Sequence, residues 1–241
     1  MSSAKLALLA DYRTSDRELR DLEALGFRVF PTDKVTTLYP AVDGHPDLQV
    51  FRLEDDLFVH PKISPSLEKE LSLWLPVRKG ERSLSLPYPR HVAFNALDTG
   101  AHFLHRLVAT DPRLLEAVKA RRREVIPVKQ GYTRCSCAQV SDRAFVTEDA
   151  GIAKVLTKLH YTVFYRPPSN VVLEGFEHGF LGGALSRIPT ADRDLILITG
   201  DVHQYAYGRE LLEFFALHRI EAACVGTGPL KDRGSLISLC P

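Results

Sequence analysis

KQGYTRCSCAQVSDRAFVTEDAGIAKVLTKL, residues Lys129–Leu159, reads as strand, turn, strand and helix. Thr133–Val140 alternates, with Cys135, Cys137 and Gln139 on one face and Arg134, Ser136, Ala138 and Val140 on the other. Ser141-Asp142 supplies a turn, and Arg143–Thr147 predicts a second short strand. Asp149 is placed to cap a helix, because its carboxylate can accept from the free N–H groups of the first turn. Ile152, Val155, Leu156 and Leu159 then recur at i, i+3, i+4 and i+7, one face of that helix. Thr162–Tyr165 follows as another β-rich run, so the stretch is a β-β-α-β unit.

The unit recurs along the chain. Leu6–Ala10 precedes a capping box at Ser15 and Glu18 and a helix carrying Leu19, Leu22 and Leu25. Asp56–His60 precedes Ser64-Pro65 and a stripe of Leu67, Leu71 and Trp74. His102–Leu107 precedes Asp111-Pro112 and Leu114, Leu115 and Val118. Asp194–Thr199 precedes a longer loop and a helix with Leu211, Leu212, Phe215 and Leu217. An alternating strand comes before the central one at Asp47–Phe51, Phe94–Leu97, Cys135–Val140 and Gly183–Ile188. The first copy lacks that strand, and Gly234–Leu239 offers it from the far end. The expectation is one α/β domain over residues 1–241, built of five β-β-α-β units, the first completed by strand 234–239.

Bulk properties exclude several classes. With 45% hydrophobic and 25% charged residues and a net charge of +1, nothing marks a general attraction to nucleic acid or anionic lipid. No apolar run reaches the roughly 20 residues of a membrane span. The opening MSSAKLALLADYR is too short in its apolar part for a signal peptide. Cys135, Cys137, Cys224 and Cys240 are expected as reduced thiols in a cytoplasm. Cys135-x-Cys137 has no zinc-site spacing, and no metal or cofactor is expected.

The segments GHPD (44–47), FNAL (94–97), KQGYTRCS (129–136), VTEDAGI (146–152), GFLGG (179–183) and DRGSLISL (232–239) resemble an uncharacterised bacterial family of the pentein fold. That fold is the five-unit α/β propeller, with pseudo-fivefold symmetry, of guanidino-group-modifying enzymes such as arginine deiminases and amidinotransferases. The resemblance implies an active site where the first strands converge. Here those strands begin at His45-Pro46-Asp47, Asn95, Arg134-Cys135-Ser136, Gly182-Gly183 and Gly234-Ser235.

Residue chemistry assigns roles at these positions. His45 can exchange a proton near neutral pH, and Asp47 can hold a guanidinium by paired hydrogen bonds. Guanidino-modifying enzymes use a similar His-x-Asp pair, although theirs lies later in the chain. Cys135 is a nucleophile with Lys129 and Arg134 close in sequence. Those enzymes carry their nucleophilic cysteine in the final strand, where this chain has Ser235, so both Cys135 and Ser235 stand as candidates. Asn95, Arg134 and Gly183 are candidates for binding substrate, as is His203 in the aromatic loop GDVHQYAYG (200–208). The leading reading is a hydrolase or transferase acting on C–N bonds of a small guanidine- or amidine-like substrate. The competing reading is a non-catalytic module of the same fold that binds a macromolecule or metabolite.

Overall fold

A computed structural model describes residues 6–189 and 194–240. The N-terminal stretch weighed above as a signal peptide falls partly on residues 1–5, outside the described residues. The first unit has β1 (Leu6–Ala10), α1 (Asp16–Ala24) and β2 (Phe27–Pro31). The second has a one-turn helix α2 (Pro46–Gln49), then β3 (Val50–Leu53), β4 (Asp56–Val59), α3 (Pro65–Leu71) and β5 (Val77–Lys79). The third has β6 (Leu97–Asp98), β7 (His102–His105), α4 (Pro112–Ala120) and β8 (Glu124–Pro127). The fourth has the turn α5 (Thr133–Ser136), then β9 (Cys137–Gln139), β10 (Ala144–Thr147), α6 (Ala150–Lys158) and β11 (Thr162–Tyr165). The fifth has the turn α7 (Leu181–Ala184), β12 (Leu185–Pro189), β13 (Asp194–Thr199), a 3₁₀ turn (Val202–Gln204), α8 (Gly208–Leu217) and β14 (Glu221–Val225). Last comes β15 (Ile237–Ser238).

These strands make five separate three-stranded sheets of one topology. In each, the central strand pairs antiparallel with the first and parallel with the third: β15-β1-β2, β3-β4-β5, β6-β7-β8, β9-β10-β11 and β12-β13-β14. The central strands LALLA, DLFV, AFVT and DLILIT are buried almost throughout, which is why they read as continuous apolar runs. The third strands alternate with exposed residues because each lies at a sheet edge. The caps act as their sequence positions require. Ser15 and Glu18 form the reciprocal capping box, and Ser64, Asp111 and Asp149 each accept a backbone N–H at a helix start.

The structure corrects the first strands. Asp47–Phe51, Cys135–Val140 and Gly183–Ile188 were expected to be extended from their first residue. In fact a single helical turn precedes β3, β9 and β12. Each turn ends in a backbone bond from the first residue of the strand: Val50 N–H to Pro46 O, Cys137 N–H to Arg134 O, and Leu185 N–H to Gly182 O. Cys135 and Cys137 therefore do not share a strand face. Cys137 lies on β9 in an apolar cluster with Leu97, Leu104 and Phe145, while Cys135 rides on α5. Phe94–Leu97 and Gly234–Leu239 shorten likewise, to β6 and β15. The first strand runs antiparallel to the central one. The residues just before it therefore lie at the same end of the sheet as the residues just after β1, β4, β7, β10 and β13. The long connections 32–45, 80–96 and 166–180 join elements at that same end.

Candidate active site

The residues that open the five first strands hydrogen-bond to one another in a closed circuit. Asp47 N–H donates to Gly234 O (3.2 Å). Asn95 Nδ2 donates to Asp47 O (3.4 Å), and Asn95 O accepts from Thr133 and Arg134 N–H. Arg134 Nη1 donates to Gly182 O (2.9 Å), and Ser235 N–H donates to Gly183 O (2.8 Å), which closes the circuit. Five units thus share a polar centre made of backbone and short side chains. Polar groups so deeply buried are held there by mutual pairing.

Inside the circuit sits the thiol. Cys135 Sγ–H donates to Asp47 Oδ2 (2.9 Å), and Asn95 Nδ2 donates to Sγ (3.3 Å). Asn95 Oδ1 accepts from the N–H groups of Arg134 and Cys135, so one amide fixes both the backbone and the sulfur. His45 Nδ1 lies 3.9 Å from Asp232 Oδ1, and ligand atoms of His45, Cys135 and Asp232 all fall within 4.8 Å of one another. An imidazole, a thiol and a carboxylate at that spacing have the donor types of a soft divalent-metal site as well as those of a nucleophile with its base. Asp232 is itself fixed: Oδ2 accepts from Phe180 N–H (2.9 Å) and Oδ1 from Gly234 N–H (3.0 Å). All five side chains are buried. Neither ring nitrogen of His45 has a partner among the described residues, and neither does Asp47 Oδ1.

The electrostatics follow from burial and like charge. Burial, then the facing Asp47 and Asp232 carboxylates, push the Cys135 thiol well above its ordinary value. Asp47 is pushed up to about 7, chiefly by burial, with the Cys135 hydrogen bond opposing and Asp232 adding to the rise. Burial lowers His45, against the pull of Asp232 and Asp11, so its imidazole is neutral at pH 7. The resting arrangement is a neutral thiol beside a carboxyl that titrates near neutrality and an imidazole free to take a proton.

The remaining sequence candidates divide. The guanidinium of Arg134 is engaged by the carbonyls of Cys137, Gly182 and Leu185, so it braces the fourth unit against the fifth. Ser235 adopts φ 62°, and its hydroxyl donates to Gly182 O (3.1 Å). Gly183 acts through what it lacks, since a Cβ there would lie 1.9 Å from Asp232 Oδ1. His203 is exposed on the 3₁₀ turn, and its backbone N–H caps onto Asp201. Gly183→Ala is therefore expected to drive Asp232 off its two N–H donors and cost about 1–3 kcal/mol. The denaturation midpoint reads this directly, and an unchanged midpoint would contradict the tight fit.

Sequence reasoning missed two carboxylates. Asp232 stood in the quoted DRGS segment but reads there as an ordinary turn residue. Glu148 stood beside the helix cap Asp149. Its Oε2 accepts from Leu181 N–H (2.7 Å), Tyr205 OH donates to Oε1 (3.3 Å), and burial pushes its carboxyl up to about 7. Asp11, His60 and Glu148 each directly follow a buried central strand, at β1, β4 and β10, a signal of the strand-end positions where α/β folds gather ligand groups.

Two cavities flank the cluster. One of about 440 Å³ runs down the first strands toward the hairpin turns, with Asp47, Arg134 and Ser235 in its wall and Arg52, Asp98 and Asp142 farther out. Another of about 80 Å³ lies at the end of the long connections and is walled by Asp232, Arg13, Lys231 and Arg233. No helix among the described residues is long and apolar enough to cross a membrane.

Several solved structures share this architecture. DDAH from Pseudomonas aeruginosa, in complex with citrulline, matches with a TM-score of 0.54 at 12% identity over 91% of each chain. Agmatine deiminase from C. jejuni matches with a TM-score of 0.51 at 10% identity, over 91% of this chain and 86% of that one. ArgZ, a cyanobacterial arginine dihydrolase, matches with a TM-score of 0.54 at 8% identity, over 98% of this chain but 39% of that one. At these identities the likeness shows the fold, and it is the pentein fold that the sequence resembles. No curated protein sequence matches the chain. Residues 9–237 match a family described as one of unknown function, DUF6873.

Proposed function

The chain belongs to the DUF6873 family, and on that footing we propose that it is a hydrolase or transferase acting on C–N bonds of a small amidine- or guanidine-like cation, with Cys135 as the nucleophile. One observation carries the reading. A buried thiol lies between the Asp47 and Asp232 carboxylates and an imidazole with no hydrogen-bond partner among the described residues. Two carboxylates converging on one buried point attract a flat cation. The same cation counters the like charges that keep the thiol protonated, so binding the substrate activates the nucleophile.

The steps follow from that arrangement. The cation sits against Asp47 and Asp232. The Cys135 proton passes to Asp47 or His45, and sulfur bonds to the central carbon while the C=N π electrons move onto nitrogen. Whichever of the two took that proton then gives it to the departing amine as the C–N bond breaks. In hydrolysis a water then adds to the same carbon, His45 takes its proton, and the C–S bond breaks to return the thiolate. In transfer, an amine replaces the water. Asn95 Nδ2 stabilises the sulfur when it carries charge. Arg134 supports the turn that carries Cys135. Ser235 is the weaker candidate because its hydroxyl already donates to Gly182 O.

The burial of Cys135 itself favours the competing reading, a binding module with a silent thiol. Alkylation separates the two. 2-Chloroacetamidine carries the cation, and 2-chloroacetamide is its neutral counterpart. At pH 7.5 the amidine should label Cys135 at least tenfold faster than the amide, as mapped by peptide mass, with no such labelling in Cys135→Ala. Equal rates, or labelling confined to the exposed Cys224, would count against the enzyme reading.

A further inference from the structure

Six rings form a continuous path from the surface to the segments that carry the thiol and hold Asp232. Phe176 and Tyr39 are 6.4 Å apart between centroids at 79°, and Tyr39 meets His91 at 6.0 Å. His91 contacts Tyr88 (6.0 Å) and Tyr132 (5.5 Å), and Tyr132 meets Phe180 (5.9 Å). The inner end of the path touches the site twice. Tyr132 directly precedes the turn α5 that carries Cys135, and Phe180 N–H is one of the two donors that fix Asp232. The outer end is open: Tyr39 is 40%, Tyr88 39% and Phe176 52% exposed, high values for large rings packed on one another. Phe176, Tyr39 and Tyr88 come from the three long connections that meet at the mouth of the site.

The two faces of Tyr88 are occupied. Tyr132 stacks on it at 5.8 Å and 22°, and the Arg106 guanidinium lies 5.4 Å from its centroid. The ring surface left for a ligand is the corner between Tyr39 and Phe176, where two rings stand nearly perpendicular. Such a corner accepts a flat group stacked on one ring and edge-on to the other. The inner rings are held neutral at pH 7: burial pushes the Tyr132 phenol up and the His91 imidazole down.

We propose that this ring path is a subsite for a flat apolar substituent on the substrate nitrogen, so that the preferred substrate is an N-arylalkyl amidine or guanidine. The proposal rests on the thiol reading above and adds the chemical class of the group the thiol acts beside. The two readings fail separately in one experiment. The probes are N-benzyl- and N-methyl-2-chloroacetamidine, which share the cation and the electrophilic CH₂. In each, the Cys135 sulfur bonds to that carbon, chloride leaves, and the thiol proton passes through the site base to solvent. Rates are normalised to those with glutathione.

In the wild type the benzyl probe should label Cys135 at least tenfold faster than the methyl probe. Tyr39→Ala and Phe176→Ala, both at exposed positions, should each reduce that ratio fivefold or more. Leu217→Ala, a still more exposed apolar residue on α8, should leave the ratio as it is. A wild-type ratio near one, or a ratio that survives both ring deletions, would overturn the aromatic subsite while the methyl probe still reports a reactive thiol. Failure of both probes to reach Cys135 would overturn the subsite and the thiol chemistry together.

Discussion

Asp47→Asn is expected to unfold at higher temperature than the wild type at pH 8, by roughly 5–15 °C, and to lose the rapid alkylation of Cys135 by the cationic probe. Asp47 holds its proton more tightly folded than unfolded, at about 7 against 3.8. Its contribution to stability is therefore favourable below 3.8 and is lost as the pH rises through 7. Fully ionised, a carboxylate so displaced costs roughly 4 kcal/mol, at about 1.4 kcal/mol per tenfold change. Asparagine removes that cost but no longer takes the Cys135 proton, which leaves a net gain of roughly 2–4 kcal/mol at pH 8. By pH 5, where the wild-type carboxyl is already protonated, most of the advantage should be gone. Paired thermal melts at pH 5 and pH 8 measure this. A variant less stable than the wild type at pH 8 would mean that Asp47 is retained for structure. Stability surrendered at a buried charge is expected where the charge is needed for chemistry.

Histidines act in the opposite direction. His105, at the end of β7, donates through Nε2 to Gly131 O (3.2 Å) and accepts at Nδ1 from the Thr110 hydroxyl (2.8 Å). Both bonds suit the neutral ring, and burial lowers it to about 4. His60 is lowered to about 4 by the same cause. The unfolded chain takes up protons near 6.5 and the folded chain does not, so stability is fully present above 6.5 and falls as the pH drops toward 4. Each ring costs about 2 kcal/mol at pH 5. His105→Gln keeps a donor for Gly131 O and removes the titration. It should be less stable than the wild type by about 1–2 kcal/mol at pH 8, and that deficit should close by about 2 kcal/mol at pH 5. Urea denaturation at the two pH values measures it, and a constant deficit would show that folded His105 takes up its proton as readily as the unfolded chain does. Since Asp47 and Glu148 gain stability over the same interval, the wild-type profile between pH 5 and 8 should be shallow, with each single variant exposing one side of the balance.

What the sequence made legible, and what it hid, divides along physical lines. The central strands and capped helices were readable because a strand buried on both faces must be apolar, and because Ser15, Ser64, Asp111 and Asp149 stand where free helix N–H groups need an acceptor. The turns before β3, β9 and β12 were not. Four residues give no period, and Thr-Arg-Cys-Ser alternates as well as any strand. The convergence of His45, Asp47, Asn95 and Cys135 on one buried centre appears in the structure, yet the reasons differ from the strand-face argument. Asp47 touches the thiol because a helical turn points both inward. Asp232 stayed hidden because its meaning lies in glycines 183 and 234, which clear space for its carboxylate and for His45 across the circuit, and long-range clearance leaves no local pattern. The aromatic residues of the loop at 200–208 drew attention by composition, while the rings that lead toward the site are scattered over residues 39–180 and meet only once the chain is folded.

The pairing of β15 with β1 has a consequence for how the protein is made. During synthesis the four sheets between residues 50 and 225 can zip up as they emerge, each from strands close together in sequence. The sheet holding β1 must wait for Ile237 and Ser238, more than two hundred residues behind it. Asp232 and Gly234 arrive in that same late segment and bring the backbone donor and carbonyl that set the positions of Asp232 and Asp47. A nascent chain still on the ribosome therefore carries its thiol without its second carboxylate. On the function proposed above, chemistry at Cys135 waits for the closing segment that carries Asp232 and Gly234.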